Sequence, residues 1–313
     1  VKLLLSSLIE DEPRLPEEVE LVRYRNNRPI PDEHLDAEIL VDWGNGADML
    51  AHAAKRLTRL RWVQTLSAGP DLVVRAGFAL DVLVTGGVGL HDQPVSEHAL
   101  ALILALVREL PQAAAAQARH EWSRALGGPR PLHPEGRITT LLGARVVIWG
   151  FGSIGVTLAG LLAALGAEVT GVARSAGARG GYPVVAEDAL DDALAGADLL
   201  VMVLPSAPET EGALSAGRLA LLPAHALVVN VGRGSTVDEV ALVGALESGR
   251  LAGAGLDVTG VEPLPADSPL WDAPNVLITP HAAGGRPVGS AALIEDNVRR
   301  LLAGDPLRNV VSH

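Results

Sequence analysis

The 313 residues carry a formal charge of −12, 48% hydrophobic residues and no cysteine. That length favours two compact domains over one. The acidic balance speaks against non-specific nucleic-acid binding, which needs clustered Lys and Arg, and the lack of cysteine excludes disulfides, thiolate metal sites and cysteine nucleophiles.

The apolar start, Lys2 to Ile9, is short and runs into Glu10, Asp11 and Glu12. This is unlike a secretory signal or a membrane span, so a soluble cytoplasmic protein with no membrane partner is expected. Lys2 to Ser7 and Ala37 to Trp43 read as strands, with a surface loop or helix around Glu10 to Glu20 between them. A helical pattern over Asp48 to Leu60 leads to a strand at Trp62 to Leu66, and Val82 to Thr85 repeats the pattern. Strands alternating with helices predict a small parallel α/β lobe. Its Ser67-Ala68-Gly69 turn reads either as a backbone nest for an anion or as a plain turn.

Ser96 to Leu110 is an almost unbroken apolar run interrupted by Glu97 and His98. It predicts a long buried helix, between lobes or against a partner subunit, and is too short to span a bilayer. Gly127, Gly128, Pro129, Pro131 and Pro134 then form an irregular arm.

The arm leads to Val146-Val-Ile-Trp-Gly-Phe-Gly-Ser-Ile-Gly155. With 34 glycines in the chain, the spacing alone is weak, so the β-branched run before it and the apolar helix pattern through Leu165 carry the weight. Gly150 permits a sharp turn, Gly152 lets a pyrophosphate approach the backbone, and Gly155 lets helix and strand pack closely. Glu168 to Val172, Asp198 to Leu204, Leu227 to Val231, Ala252 to Val258 and Val276 to Thr279 supply five more strands. The six together suit a doubly wound dinucleotide-binding sheet. Gly289 to Leu302 predicts a helix, with Asn297 and Arg299 on its polar face, that returns to the first lobe.

Ligands of such sheets bind beyond the carboxyl ends of the strands. Arg233, Glu262 and His281 follow three successive strands. A guanidinium can clamp a carboxylate and polarise the adjacent carbonyl, and a histidine beside a carboxylate can pass a proton to the carbonyl oxygen. With a hydride from a nicotinamide, these types describe reduction of a 2-keto acid. No zinc-ligand spacing and no Gly-x-Ser-x-Gly elbow is present, so no metal is expected.

Leu-Arg-Trp-Val-Gln-Thr-Leu-Ser-Ala-Gly-Pro-Asp, Val-Ser-Glu-His-Ala-Leu-Ala-Leu-Ile-Leu-Ala, Gly-Phe-Gly-Ser-Ile-Gly, Asn-Val-Gly-Arg-Gly-Ser-Thr-Val-Asp-Glu, Gly-Leu-Asp-Val with a later Glu-Pro, and Thr-Pro-His-Ala-Ala-Gly occur in that order. In these motifs the chain resembles the D-isomer-specific 2-hydroxyacid dehydrogenase family, most of all its glyoxylate/hydroxypyruvate reductases. The resemblance implies two lobes: a Rossmann dinucleotide-binding domain over 97–285 and a smaller flavodoxin-like substrate domain from 1–96 and 286–313. It implies Arg233 as substrate clamp, His281 as acid/base with Glu262 as its partner, and substrate carboxylate held near Ala68 and Gly69. The cofactor is expected at Gly150, Gly152, Ser153, Ile154, Gly155, Leu204, Pro205, Val231, Gly232, Asp257 and Gly284, and a homodimer is implied.

Two departures bear on specificity. Gly86-Gly87-Val88-Gly89 stands where many members carry Asn-x-Pro-Gly. The second strand ends in Ala173-Arg174-Ser175, without the acid that binds a ribose 2′-hydroxyl in NAD-using relatives. Arg174 and Ser175 can take a 2′-phosphate, so NADP is expected over NAD, with NAD possible. The expected partner is a small 2-keto or 2-hydroxy acid. An NAD-linked dehydrogenase of a larger D-2-hydroxy acid and a cofactor-sensing corepressor are the alternatives. The presence of Arg233, Glu262 and His281 tells against a corepressor. A phosphoglycerate dehydrogenase is less expected, because the long C-terminal extension of many such enzymes does not follow.

Overall fold

The computed structural model describes residues 1–129, 131–134 and 137–311. Residues 312 and 313 of the expected substrate domain, and 130, 135 and 136 of the arm, lie outside the described residues. The chain divides into two compact units, Val1–His91 with Arg286–His313, and Asp92–Gly285.

The first unit holds a five-stranded sheet built from β1 (Lys2–Ser6), β2 (Glu20–Tyr24), β3 (Ile39–Asp42), β4 (Trp62–Thr65) and β5 (Leu83–Thr85). All pairs are parallel and the order is β2-β1-β3-β4-β5, the flavodoxin-like arrangement. Successive side chains of a strand point to opposite faces. Leu3 and Leu5 therefore pack with Leu293, Ile294 and Val298 of α9 (Ser290–Ala303), while Leu4 packs on the other face with Leu50 and Ala53 of α1 (Ala47–Arg56). Burial on both faces is why these strands read as continuous apolar runs.

Two features differ from the sequence expectation. β2 begins at Glu20, where the segment read as surface loop or helix ends, and was not expected: at the sheet edge only Tyr24 of its five residues is buried, so the strand leaves no period-two pattern. Asn297, expected on a polar face, is fully buried. Its amide donates to Gln64 Oε1 at 2.9 Å and its carbonyl accepts from the Arg308 amide at 2.8 Å. Arg299 is exposed, as expected.

The second unit begins at α3 (Asp92–Val107) rather than after 96, because the first turn of that helix is already tied in. Ser96 Oγ donates to the Ile154 carbonyl at 3.2 Å, and Val95, Ala99, Leu102 and Ile103 join one core with Leu158 and Leu162 of α5 (Ser153–Ala164). The expected single helix to Leu110 ends at Val107 and gives way to α4 (Leu110–Ala118), bent from it by 64°. Among the described residues no single helix is long and apolar enough to cross a membrane.

The second sheet contains the six expected strands, β6 (Arg145–Trp149), β7 (Glu168–Ala173), β10 (Leu199–Met202), β11 (Leu227–Asn230), β12 (Gly253–Leu256) and β13 (Val276–Ile278). To these it adds a hairpin of β8 (Gly177–Arg179) and β9 (Tyr182–Ala186) that the sequence reading did not anticipate. The order β13-β12-β11-β10-β6-β7-β9-β8 is doubly wound, with only β8 antiparallel. Strand order reverses between β6 and β10, where ligands of such sheets bind. Gly180 and Gly181, both with positive φ, make the two-residue hairpin turn.

In the first unit, Asp42 is buried at the carboxyl end of β3, and burial pushes its carboxyl from the ordinary 3.8 up to about 6. Hydrogen bonds from the Thr65 hydroxyl and the Asn45 amide oppose the rise. Between about pH 4 and pH 6 the folded protein holds a proton that the unfolded chain releases, so stability falls as pH rises and levels off above that window. Asp42→Asn removes this dependence. Its stability relative to the parent should improve by up to about 3 kcal/mol between pH 4 and pH 8 in urea melts, and a pH-independent difference would contradict it.

Candidate active site

The nucleotide end forms where β6 turns into α5. Gly150 has φ +97°, and a Cβ there would lie 2.5 Å from the Val203 carbonyl oxygen beyond β10, so only glycine makes this turn. Gly152 caps α5 without a side-chain hydrogen bond, and a Cβ at 152 would meet nothing within 4 Å. The first-turn amides of Ser153, Ile154 and Gly155 thus face an open cradle of the kind a pyrophosphate fills. A Cβ at Gly155 would sit 3.2–3.3 Å from Gly150, Phe151 and Ile148, so helix and strand are in contact there. The residues present fit a dinucleotide.

The remaining expected cofactor residues lie after the ends of other strands of the sheet. Gly232 follows β11 so closely against the β10 loop that its Cβ would lie 2.6 Å from Leu204 backbone atoms; Leu204 and Val231 are buried and Pro205 is exposed. Gly284 is half-buried. Arg174 and Ser175 are exposed just past β7. Ser175 Oγ accepts a hydrogen bond at 3.2 Å from Arg179, a residue of β8 that the sequence reading missed.

On the loops that follow β12 and β13, His281 Nδ1 lies 2.7 Å from Glu262 Oε2. A carboxylate only accepts, so Nδ1 carries the proton and Nε2 is left to exchange one with a ligand. Glu262 Oε1 accepts from the Thr259 amide at 3.1 Å, which fixes the carboxylate for the ring. Gly234 is pressed onto that segment: a Cβ at 234 would lie 1.9 Å from the Thr259 carbonyl carbon. The Arg233 loop therefore rests directly on the Glu262 loop. The Arg233 carbonyl accepts from Asn230 Nδ2 at 3.0 Å and Thr236 Oγ1 at 2.6 Å, and Arg233 Nη1 donates to the Gly232 carbonyl at 2.9 Å. Asn230 and Thr236, both fully buried, were not singled out in the sequence.

Asp257 is 1% exposed. Its carboxylate accepts from Thr279 Oγ1 at 2.6 Å and from the amides of Ala282 and Ala283 at 2.8 and 3.0 Å, while its carbonyl accepts the His281 amide at 2.8 Å. His281 has φ +51°, a conformation uncommon outside glycine, and these bonds hold it there. His98 completes the cluster, with Nε2 at 2.9 Å from Thr279 Oγ1 and 3.2 Å from Asp257 Oδ1. Since the Thr279 proton goes to Asp257, His98 is the donor. The signal for it was present: His98 interrupts an apolar helix.

Ala68 and Gly69 belong to the first unit, in the turn after β4. The Ser67 amide donates to Thr65 Oγ1 at 3.2 Å, and the Ser67 carbonyl accepts from the Gly87 amide at 2.9 Å. A Cβ at Gly87 would lie 2.1 Å from the Leu66 carbonyl oxygen, so the Gly86 to Gly89 departure fits this close approach. Ala68 is exposed and Gly69 half-buried.

A doubly wound sheet with a bare glycine turn at its switch point and a histidine–carboxylate pair on later strand ends defines a dinucleotide-binding α/β protein. The model of the D-isomer specific 2-hydroxyacid dehydrogenase NAD binding domain matches residues 100–283. The chain belongs to this family. It is 31% identical over 312 residues to glyoxylate/hydroxypyruvate reductase B of Citrobacter koseri, covering 96% of this chain and 93% of that one. It is 34% identical over 269 residues to D-3-phosphoglycerate dehydrogenase of Mycobacterium leprae, covering 80% of this chain. The match takes in 48% of that relative, so the chain spans about half the length of the phosphoglycerate dehydrogenases it matches. The crystal structure of an NADPH-dependent glyoxylate/hydroxypyruvate reductase from Sinorhizobium meliloti, in complex with NADP and sulfate, superposes with a TM-score of 0.81 at 28% identity, covering 99% of this chain and 98% of that one.

The packing of Gly234 on Thr259 yields a test. Gly234→Ala must displace backbone, and we expect a loss of about 1–3 kcal/mol with a fall in kcat. Gly244→Ala, inside α8 (Glu239–Glu247) where a Cβ meets nothing within 4 Å, should instead stabilise by about 0.5–1 kcal/mol in the same thermal melts.

Proposed function

We propose that this protein reduces a small 2-keto acid, of the glyoxylate or hydroxypyruvate type, to the D-2-hydroxy acid with NADPH. The 2.7 Å pair of His281 and Glu262, with the Arg233 loop seated on the same segment, carries this reading. When bound, the nicotinamide supplies the hydride that goes to the carbonyl carbon. The proton for the carbonyl oxygen leaves His281 Nε2. Nδ1 keeps its own proton and donates it in the hydrogen bond to Glu262, so the ring ends the step neutral and in the tautomer that Glu262 selects. Arg233 holds the substrate carboxylate with paired N–H groups and draws electron density from the neighbouring carbonyl. Asp257 orients the His281 loop by accepting from the Thr279 hydroxyl and the Ala282 and Ala283 amides.

The preference for NADPH rests on Arg174 and Ser175 and on the neutral Ala173 where NAD-using relatives carry an acid. The names of the Citrobacter and Sinorhizobium relatives support the substrate class, and the NADP bound to the latter supports the cofactor.

Steady-state kinetics with glyoxylate and hydroxypyruvate test the proposal. kcat/KM should favour NADPH over NADH by about tenfold or more, since charge-assisted contacts are worth about 1.5–3 kcal/mol. His281→Ala should lower kcat by about 10²–10⁴ with nucleotide affinity nearly unchanged. A variant that keeps its kcat removes His281 from the chemistry, and an NADH preference reverses the cofactor assignment.

A further inference from the structure

We propose that Arg179, on the β8–β9 hairpin, is the fixed half of the 2′-phosphate site, and that it sets cofactor choice together with the exposed Arg174. This rests on the NADP reading above and goes beyond it in the residue and in the way it is held. Arg179 Nη1 donates to the Phe151 carbonyl at 2.8 Å, and Nη2 donates to Ser175 Oγ at 3.2 Å. Phe151 is the middle residue of the glycine turn, and Ser175 lies two residues past the end of β7. In a doubly wound sheet the pyrophosphate rests on that turn and the ribose 2′-oxygen lies at the end of the second strand. The guanidinium therefore spans the two segments between which the adenosine ribose must pass.

Its anchorage is firm on both sides. A Cβ at Gly180 would lie 2.4 Å from Val156 Cγ1, so the hairpin turn presses onto α5, and the Tyr182 ring packs edge-on against Phe151 at 6.4 Å between centroids. Arg179 is half-buried, whereas Arg174 is exposed. A guanidinium has five N–H donors, and two of these are engaged, both on neutral acceptors. Among the described residues neither Arg174 nor Arg179 pairs with a carboxylate. Among the described residues, then, two cations without a carboxylate in ion-pair reach lie on the segment that follows β7. One of them is already ordered, which lessens the loss of side-chain freedom when an anion binds. The same bond orients Ser175: its hydroxyl accepts from Arg179, so its own proton is free for a phosphate oxygen.

Calorimetric titration of the full chain with NADP⁺, NAD⁺, 2′,5′-ADP and 5′-ADP tests the assignment without turnover. Arg179→Gln removes the charge and keeps an N–H that can reach the Phe151 carbonyl. It should weaken NADP⁺ and 2′,5′-ADP about 10- to 100-fold and leave NAD⁺ and 5′-ADP within about threefold. Arg179→Lys, which keeps the charge, should recover part of the loss, and Arg174→Ala should show the same selective pattern. Equal weakening of all four nucleotides by Arg179→Gln would make the residue a brace for the glycine turn and overturn the proposal. No weakening would overturn it as well. A parent protein that binds 5′-ADP as tightly as 2′,5′-ADP would defeat the NADP reading itself. A parent preference that survives Arg179→Gln would defeat only the role of Arg179.

Discussion

The buried carboxylate of Asp257 holds the segment that carries His281. A carboxyl group away from water is costly unless its oxygens are hydrogen-bonded, and here a hydroxyl and two backbone amides supply the donors, with His98 alongside. The Asp257 carbonyl takes the His281 amide in addition. A histidine with positive φ persists only where the surroundings over-determine it, and this network does so. Glu262 then has one ring orientation to meet, and its second oxygen is already engaged by the Thr259 amide.

Close backbone approach does the corresponding work for the other groups. Gly150, Gly232 and Gly234 each sit where a Cβ would collide with the next strand's loop, at Val203, Leu204 and Thr259. The loops at the carboxyl edge of the sheet are thereby packed onto one another without side chains between them. That packing brings polar groups from strands far apart in the chain within reach, while Gly152 leaves open space in front of free amides. Glycine is used both to make contact and to leave room.

Much of this was readable before any coordinates. The six strands of the second sheet declared themselves as apolar runs because both faces are covered. The three glycine roles followed from steric rules that act over a few residues, and Arg233, Glu262 and His281 could be picked out because ligands of such sheets meet residues after strands. The Gly180-Gly181 pair, both residues with positive φ, is the local sequence signal for the β8–β9 hairpin. β2 was not legible, since an edge strand with one buried residue carries no alternation.

Sequence alone thus determined the alternation of strands and helices, the glycine turn and the chemical types at the strand ends, because these depend on local sterics and on the period of burial. Tertiary structure decided which polar groups are bonded to one another. Asn297 reads as a surface residue until its amide meets Gln64, 233 positions away, and His98 reads as a flaw in an apolar helix until it meets Thr279, 181 positions away. Arg179 joins the glycine turn only because a hairpin folds back onto α5. Bonds across such separations leave no periodic trace in a chain, since each exists only once the sheet has brought its two ends together.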